Sequence, residues 1–259
     1  MMVPEFNART VLIISDVHLG GFDSLRNLEL MHTFSEIVDY CILNNHVLVI
    51  NGDLLDYYMQ YPDFIPEVAQ QAFTVLQSYV KQSATPPIYI TGNHDNWDDG
   101  YIEKIGCETI HEEKLLTIDG KKVFIAHGDG LNNPSYKLPR PSMHRMLRNK
   151  RFVRYFKFFT TGPLGNQLMK WFSMINRWLS ADNKKTIRRI DTWAESMLCR
   201  DDIDVIVAAH HHNTRFTKFD KKLYINTGCF FKDKTAALYT NGDFRLVKWD
   251  MHQRTFIPF

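Results

Sequence analysis

Asp, Asn and His side chains stand at or just beyond the C-terminal ends of five short apolar runs. The runs read VLIIS-Asp16-Val-His18, HVLVING-Asp53, IYITG-Asn93-His94-Asp95, VFIA-His127-Gly-Asp129 and VIVAA-His210-His211-His212. One apolar run followed by such a residue is unremarkable, but five of them form a constellation. Parallel strands gather their C-terminal ends along one edge of a sheet, where open α/β folds place their sites. Carboxylate, imidazole and carboxamide donors without thiolates suit Mn, Fe or Zn. The expected chemistry is hydrolysis assisted by two metal ions.

Each run carries its own argument. Asp16 and His18 lie two apart, so in an extended segment both point to one side and can grip one ion. Gly52 permits close approach of backbone to a metal, and Asp53 after it can bridge two cations. Asn93 offers a neutral oxygen. His94 is placed to face a substrate as proton donor, held by Asp95 or a backbone group. In the triple histidine, His210 and His212 share a face and His211 points away. His32, His46, His111, His144 and His252 have no such partners and are expected to be ordinary.

The elements that must position these residues are legible in outline. Strands are predicted at Thr10–Ser15, His46–Ile50, Ile88–Thr91, Lys122–Ala126 and Asp204–Ala209, all of the continuous apolar type buried on both faces. Helices are predicted at Ser24–Leu43 and Pro66–Lys81, the second with proline at its first turn. Strand alternating with helix argues for parallel βαβ units. Near the C-terminus the pattern changes to alternating runs around Asn241-Gly242, a hairpin signal. A mixed sheet, or two packed sheets with flanking helices, follows.

The segment from about Leu131 to Ser180 fits neither pattern. Pro134, Pro139, Pro141 and Pro163 break it into short helices, and bulky Phe152, Phe156, Phe158, Phe159, Trp171, Phe172 and Trp178 are interleaved with Arg and Lys. Residues 137–189 hold 14 Lys or Arg against one acid, a net +13; the rest holds 17 bases and 28 acids, a net −11. A basic face with large aromatics is the composition of an interfacial helix, or of a lid closing on an amphiphile. Anionic lipid, a phosphate-rich substrate or nucleic acid are the partners this asymmetry suggests. The same residues would serve a nuclease as stacking platforms, but no second nucleic-acid motif accompanies them, and no nucleic acid is expected.

Composition bounds the rest. The 259 residues suffice for a single domain with a sizeable core. Cys41, Cys107, Cys199 and Cys229 show no paired spacing and read as reduced thiols of a cytosolic protein. Residues 1–10 lack the apolar stretch of a secretory signal, and no window is long enough to span a bilayer.

The blocks D-x-H (Asp16, His18), G-D (Gly52, Asp53), G-N-H-D (Gly92 to Asp95), H-G-D (His127 to Asp129) and H-x-H (His210, His212), in this order, resemble the calcineurin-like metallophosphoesterase superfamily. The resemblance covers nearly the whole chain. It implies an α/β fold: a mixed β-sandwich flanked by helices, here with a helical lid inserted at residues 131–185 of one domain. It places Asp16, His18, Asp53 and His212 on one metal, Asn93, His127 and His210 on a second, Asp53 as the bridge and His94 as the catalytic histidine. Two divalent ions of that kind, most simply Mn²⁺ with Fe or Zn as substitutes, stand about 3.5–4 Å apart and activate water for attack on phosphorus. Ala209 departs from the glycine usual before the first histidine of the last block.

Within the superfamily, Gly52-Asp53-Leu54-Leu55-Asp56 is not followed by the Arg-Gly of phosphoprotein phosphatases. The basic aromatic insertion after H-G-D looks more like the UDP-2,3-diacylglucosamine hydrolases of lipid A biosynthesis. That likeness implies a cytoplasmic enzyme associated with the inner-membrane surface, cleaving a UDP-linked glycolipid to UMP and a lipid-linked sugar 1-phosphate; the alternative is a soluble nucleotide phosphodiesterase or pyrophosphatase with no lipid substrate. Asp95, Tyr136, Arg148, Arg151, Asn183 and Lys184 are the expected substrate contacts. His94 stands where proteobacterial members of that group carry arginine.

Overall fold

The computed structural model describes residues 5–6, 10–180 and 184–259, without the side chains of residues 5, 6 and 175–180. In chain order the elements are β1 (Glu5–Phe6), β2 (Val11–Ile14), α1 (Ser24–Leu43), β3 (Val47–Asn51), α2 (Glu67–Gln82), β4 (Ile88–Ile90), α3 (Tyr101–Lys104), β5 (Glu108–Ile110), β6 (Glu113–Ile118), β7 (Lys121–Ala126), α4 (Ser142–Leu147), α5 (Lys150–Phe159), α6 (Gly162–Ser180), α7 (Lys184–Leu198), β8 (Val205–Ala208), β9 (Thr214–Phe219), β10 (Lys222–Thr227), α8 (Phe230–Asp233), β11 (Thr235–Thr240), β12 (Asp243–Asp250) and β13 (Thr255–Pro258). The strands form two mixed sheets, ordered β13-β12-β11-β2-β3-β4-β5 and β1-β6-β7-β8-β10-β9.

Strand periodicity explains the layers. Val11, Ile13, Val47, Val49, Val123, Ile125, Val205 and Val207 pack together between the sheets. Their alternate neighbours Leu12, Ile14, Leu48 and Ile50 pack with Leu30, Phe34, Phe73 and Leu76 of α1 and α2. On the outer face of the second sheet, Phe124, Ala126, Ile206 and Ala208 pack with Ile190, Trp193 and Met197 of α7. Each central strand is thus buried on both faces, which is why its sequence is continuously apolar rather than alternating. Asp23 caps α1 by accepting a hydrogen bond from the Arg26 amide at 3.0 Å. Asn241 and Gly242, at φ 51° and 84°, make the left-handed turn between β11 and β12.

The five predicted strands are present within one residue at most ends. They are divided, however. β2, β3 and β4 lie in one sheet, β7 and β8 in the other, so the ligand-type residues meet across the top of a sandwich rather than along one sheet edge. Polar stitches replace the apolar interlayer at that edge. Asn51 Nδ2 donates to the Ala126 carbonyl at 3.1 Å, and the Ser15 and Thr227 hydroxyls are 2.6 Å apart.

The segment read as an inserted lid contains α4, α5 and α6, while α7 packs on the second sheet. Leu147 and Met169 are buried, with Phe152, Val153, Phe156 and Phe172 packed beside them, against Tyr57, Met59, Tyr61 and Trp97. Part of its positive charge is matched by the acidic body. Arg140 pairs with Glu112 at 2.6 Å, Arg148 with Asp129 at 2.9 Å and Lys157 with Asp99 at 2.7 Å. Among the described residues no helix is long and apolar enough to cross a membrane.

Candidate metal centre and active site

The loops after β2, β3, β4, β7 and β8 bring three overlapping groups together, each with its ligand atoms within 4.8 Å of one another: Asp16, His18 and His212; His18, Asp53 and His94; Asp53, His127 and His210. Asp53 lies at the centre. Its Oδ1 accepts the His94 backbone N–H at 2.9 Å, and its Oδ2 stands 3.3 Å from His127 Nε2, 3.8 Å from His18 Nε2 and 4.0 Å from His94 Nε2. With Oδ1 engaged, Oδ2 is the atom whose lone pairs reach both halves of the cluster. Asn93 Oδ1 is 3.2 Å from His127 Nε2.

The backbone achieves this by a route the sequence spacing did not imply. Asp16 and His18 are not extended; both have φ 52°, and Asp53, His210 and His212 are left-handed too, at 54°, 70° and 57°. Non-glycine residues rarely adopt this region, and strain of this kind persists at functional sites because the surroundings over-determine it. Sharp turns at the strand ends aim all five side chains inward. His211, as expected, points elsewhere, with Nε2 3.3 Å from both the Tyr224 hydroxyl and Asp191 Oδ1.

Tautomers follow from what each second nitrogen touches. His127 Nδ1 is 2.9 Å from the Asn51 carbonyl, which can only accept, so Nδ1 carries a proton and Nε2 is the nitrogen that would give a lone pair to a bound cation. His18 Nδ1 is 3.1 Å from the Asp56 carboxylate, with the same consequence. Asp16 Oδ1 and His18 Nε2 are buried without an aligned hydrogen bond, Asp16 Oδ1 facing His212 Nε2 at 3.1 Å and His18 Nε2 at 3.8 Å. Buried polar atoms so placed at the meeting point of carboxylates and imidazoles are what a divalent cation would satisfy. The all-oxygen-and-nitrogen donor set fits Mn, Fe or Zn.

The same electrostatics fix how protons compete for the site. Burial alone would lower the His18 and His127 imidazolium pKa values. The carboxylates around them outweigh it and raise both to about 10: Asp16, Asp56 and Asp53 for His18, chiefly Asp53 for His127. A raised pKa contributes stability that is full below the unfolded-state value near 6.5 and is lost as pH rises through 10. Chelator-treated protein should therefore lose thermal stability between pH 7 and 10. Added Mn²⁺ must displace these protons, so its stabilising effect should grow over that interval. Melting curves with and without chelator at several pH values check this; a Mn²⁺ effect that shrinks as pH rises would contradict it.

His94 is held by Asp56, not by Asp95. Its Nδ1 lies 3.1 Å from Asp56 Oδ1, within ion-pair distance though poorly aligned as a hydrogen bond, and the Tyr57 ring covers it at 4.5 Å. Asp95 is instead a buried scaffold. It accepts from the Leu54 and Gly92 amides and the Tyr89 hydroxyl at 2.7–2.9 Å, fixing the loop that carries His94.

Other expected substrate contacts are redirected as well. Arg148 spends its guanidinium on Asp129 and on the carbonyls of His111, Thr91 and Gly92, clamping the insertion to two ligand loops. The Tyr136 ring packs on Phe124 at 4.9 Å and beneath Arg200, away from the strand ends that carry the ligands. Arg151 and Lys184 are exposed, and Asn183 lies outside the described residues, as do the side chains of Arg177 and Trp178. His144, expected to be ordinary, sits with its ring 5.3 Å from that of His210. Nothing in its local sequence signals this, because α4 is brought over the site only by tertiary packing. A cleft of about 1040 Å³ lined by Phe216, Phe244 and Phe259 contains none of the ligand residues.

Comparison with known proteins agrees with this geometry. Residues 9–214 match the family model described as calcineurin-like phosphoesterase. A relative named UDP-2,3-diacylglucosamine hydrolase from Yersinia pestis is 24% identical over 209 residues, covering 78% of this chain and 82% of its own length. Among solved structures, a cold-active protein tyrosine phosphatase aligns over 100% of this chain and 81% of its own, at TM-score 0.50 and 13% identity, a likeness of fold. A phosphoesterase from E. coli aligns over 96% of each chain at TM-score 0.46 and 12% identity. With four-fifths of its length inside the family model and hydrolase-named relatives beside it, the chain belongs to the calcineurin-like phosphoesterases and is a metal-dependent phosphoester hydrolase.

Proposed function

We propose that the protein hydrolyses the pyrophosphate of a UDP-linked acylated glucosamine, releasing UMP and a lipid-linked sugar 1-phosphate at a membrane surface. Asp16, His18, Asp53 and His212 would hold one divalent ion and Asp53, Asn93, His127 and His210 the other. When bound, such a pair supplies charge neutralisation on the phosphoryl oxygens and an activated water. His94 donates from Nε2 to the leaving oxygen while Asp56 holds its other nitrogen. Tyr57, backed by Phe172 of α6, limits water around it.

The observation that carries the lipid part is the outer face of the insertion. Phe158, Phe159 and Trp171 are 80%, 76% and 62% exposed beside the exposed bases Lys150, Arg151 and Arg154. Large rings left in water next to unburied positive charge suit an anionic lipid surface. The Yersinia relatives, which carry the hydrolase name, support the substrate class.

Purified protein with Mn²⁺ should release UMP from UDP-2,3-diacylglucosamine. Turnover of soluble nucleotide diesters without release of UMP from the lipid substrate would overturn the assignment. The triple variant Phe158→Ser, Phe159→Ser, Trp171→Ser should lose most binding to phosphatidylglycerol vesicles while its melting temperature stays near wild type. Undiminished vesicle binding would remove the membrane role from this face. Because Phe152, Phe156 and Met169 pack on the body, deletion of the insertion would expose that core and is not an equivalent test.

A further inference from the structure

Residues 172 and 173 of α6 face the site while 171 and 174 face solvent: Trp171 and Met174 are 62% and 54% exposed, Ser173 fully buried and Phe172 packed near Tyr57. The Ser173 hydroxyl lies 3.0 Å from Asp56 Oδ1 and 3.2 Å from Oδ2, straddling the carboxylate. That carboxylate stands 3.1 Å from Nδ1 of both His18 and His94. Rotation about the last torsion of an aspartate is soft, so two imidazoles drawing on one oxygen do not by themselves fix it. A hydroxyl shared between both oxygens does. Phe172 backs the ring that covers His94: it lies 6.2 Å from Tyr57, which in turn stands 4.5 Å from His94.

The helix that delivers this hydroxyl is seated with no slack. A Cβ on Gly162 would fall 2.4 Å from the Phe64 side chain, and one on Gly165 2.0 Å from the Tyr61 hydroxyl. Thr160, just before α6, meets the same Tyr61 hydroxyl at 2.7 Å. The tight seat fixes where residue 173 falls, and the same helix carries the exposed apolar face.

We propose that Ser173 is a positioning residue through which the insertion sets His94: the seat of α6 orients the Asp56 carboxylate, and Asp56 orients the imidazole that serves the leaving group. This rests on the phosphoesterase reading above and adds that the insertion acts on the chemical step as well as on substrate capture. Ser173 touches no substrate in this scheme. A change in how α6 sits, as when its outer face meets an amphiphile, would reach His94 by this path.

The test uses p-nitrophenyl and phenyl esters of UMP, whose leaving groups differ in their need for a proton, with full-length enzyme and Mn²⁺. General acid catalysis contributes about 10²–10⁴-fold, so Ser173→Ala should cost roughly tenfold more in kcat on the phenyl ester than on the p-nitrophenyl ester. Ser173→Thr, which keeps the hydroxyl, should restore most of the difference. In a His94→Ala background the Ser173→Ala change should add little, since residues acting as one unit are not additive. Equal losses on both esters, or full additivity with His94→Ala, would make Ser173 merely structural and overturn the proposal. A second readout needs no turnover: the imidazole NMR correlations of His94 in Mg²⁺-loaded protein should shift or broaden in Ser173→Ala. If the wild type cleaved neither ester, the phosphoesterase reading would fail, and the His94 resonances would still decide whether Ser173 holds it; unchanged resonances would overturn that too.

Discussion

Asp53→Asn is expected to lower phosphoester turnover by at least about 10³-fold, since the carboxylate that would serve both proposed metal ions is replaced by a neutral amide. The reason lies in how the two oxygens of Asp53 are used. Oδ1 accepts the His94 amide proton, and an asparagine carbonyl can take over that bond. The NH₂ group must then occupy the position of Oδ2, facing His127 Nε2 at 3.3 Å and His18 Nε2 at 3.8 Å. An amide nitrogen has no lone pair to offer a cation, but it can donate to an imidazole. The variant should therefore still fold while holding less than one equivalent of metal, and added Mn²⁺ should raise its melting temperature less than it raises that of wild type. Elemental analysis beside steady-state kinetics reads both. A variant with two equivalents of bound metal and a tenth of wild-type activity would remove Asp53 from the centre of the site.

Gly92→Ala should be as damaging to activity, and it should cost stability through overpacking rather than through lost charge. Gly92 opens the loop carrying Asn93 and His94, and an added Cβ would lie 2.0 Å from Asp53 Oδ1 and 2.7 Å from the Asp53 backbone nitrogen. Neither atom can retreat freely. Asp53 is held in a left-handed turn between the two sheets, and Gly92 is tied by its amide to Asp95 and by its carbonyl to Arg148. Overpacking of this sort costs about 1–3 kcal/mol. At about 2–4 °C per kcal/mol for a protein of this size, the melting temperature should fall by roughly 2–12 °C. The relief is to push the His94 loop outward, which separates His94 from Asp56 and Asn93 from His127. Full activity in this variant would mean that the close approach of the two loops is dispensable.

The two variants separate ligand chemistry from loop placement, and the sequence was informative about these to different degrees. The identity of the candidate ligands was legible because each follows an apolar run buried on both faces, and burial on both faces writes itself into consecutive residues. Helix α1 and the Asn241-Gly242 turn were legible for the same local reason. Asp56 stood in plain view three residues after Asp53, but its use as the partner of His94 was not legible, since Asp95 is nearer in sequence. The left-handed turns at Asp16, His18, Asp53, His210 and His212 carry no glycine signal; they are imposed by tertiary surroundings. Arg148 read as a substrate contact because a basic residue in a basic segment shows no sign of the four backbone and carboxylate acceptors waiting for it.

What the sequence determined by itself was the set of reactive groups and the order in which strands present them, because short-range periodicity and residue type are sufficient for both. Only the tertiary structure decided that the five strands belong to two sheets, that Asp53 exposes one oxygen to three imidazoles, and that α6 delivers Ser173 to the carboxylate behind His94. Those are contacts between residues 35 to 117 positions apart. Long-range contacts are selected by packing and by the need to pair every buried polar atom, and neither is encoded in local pattern.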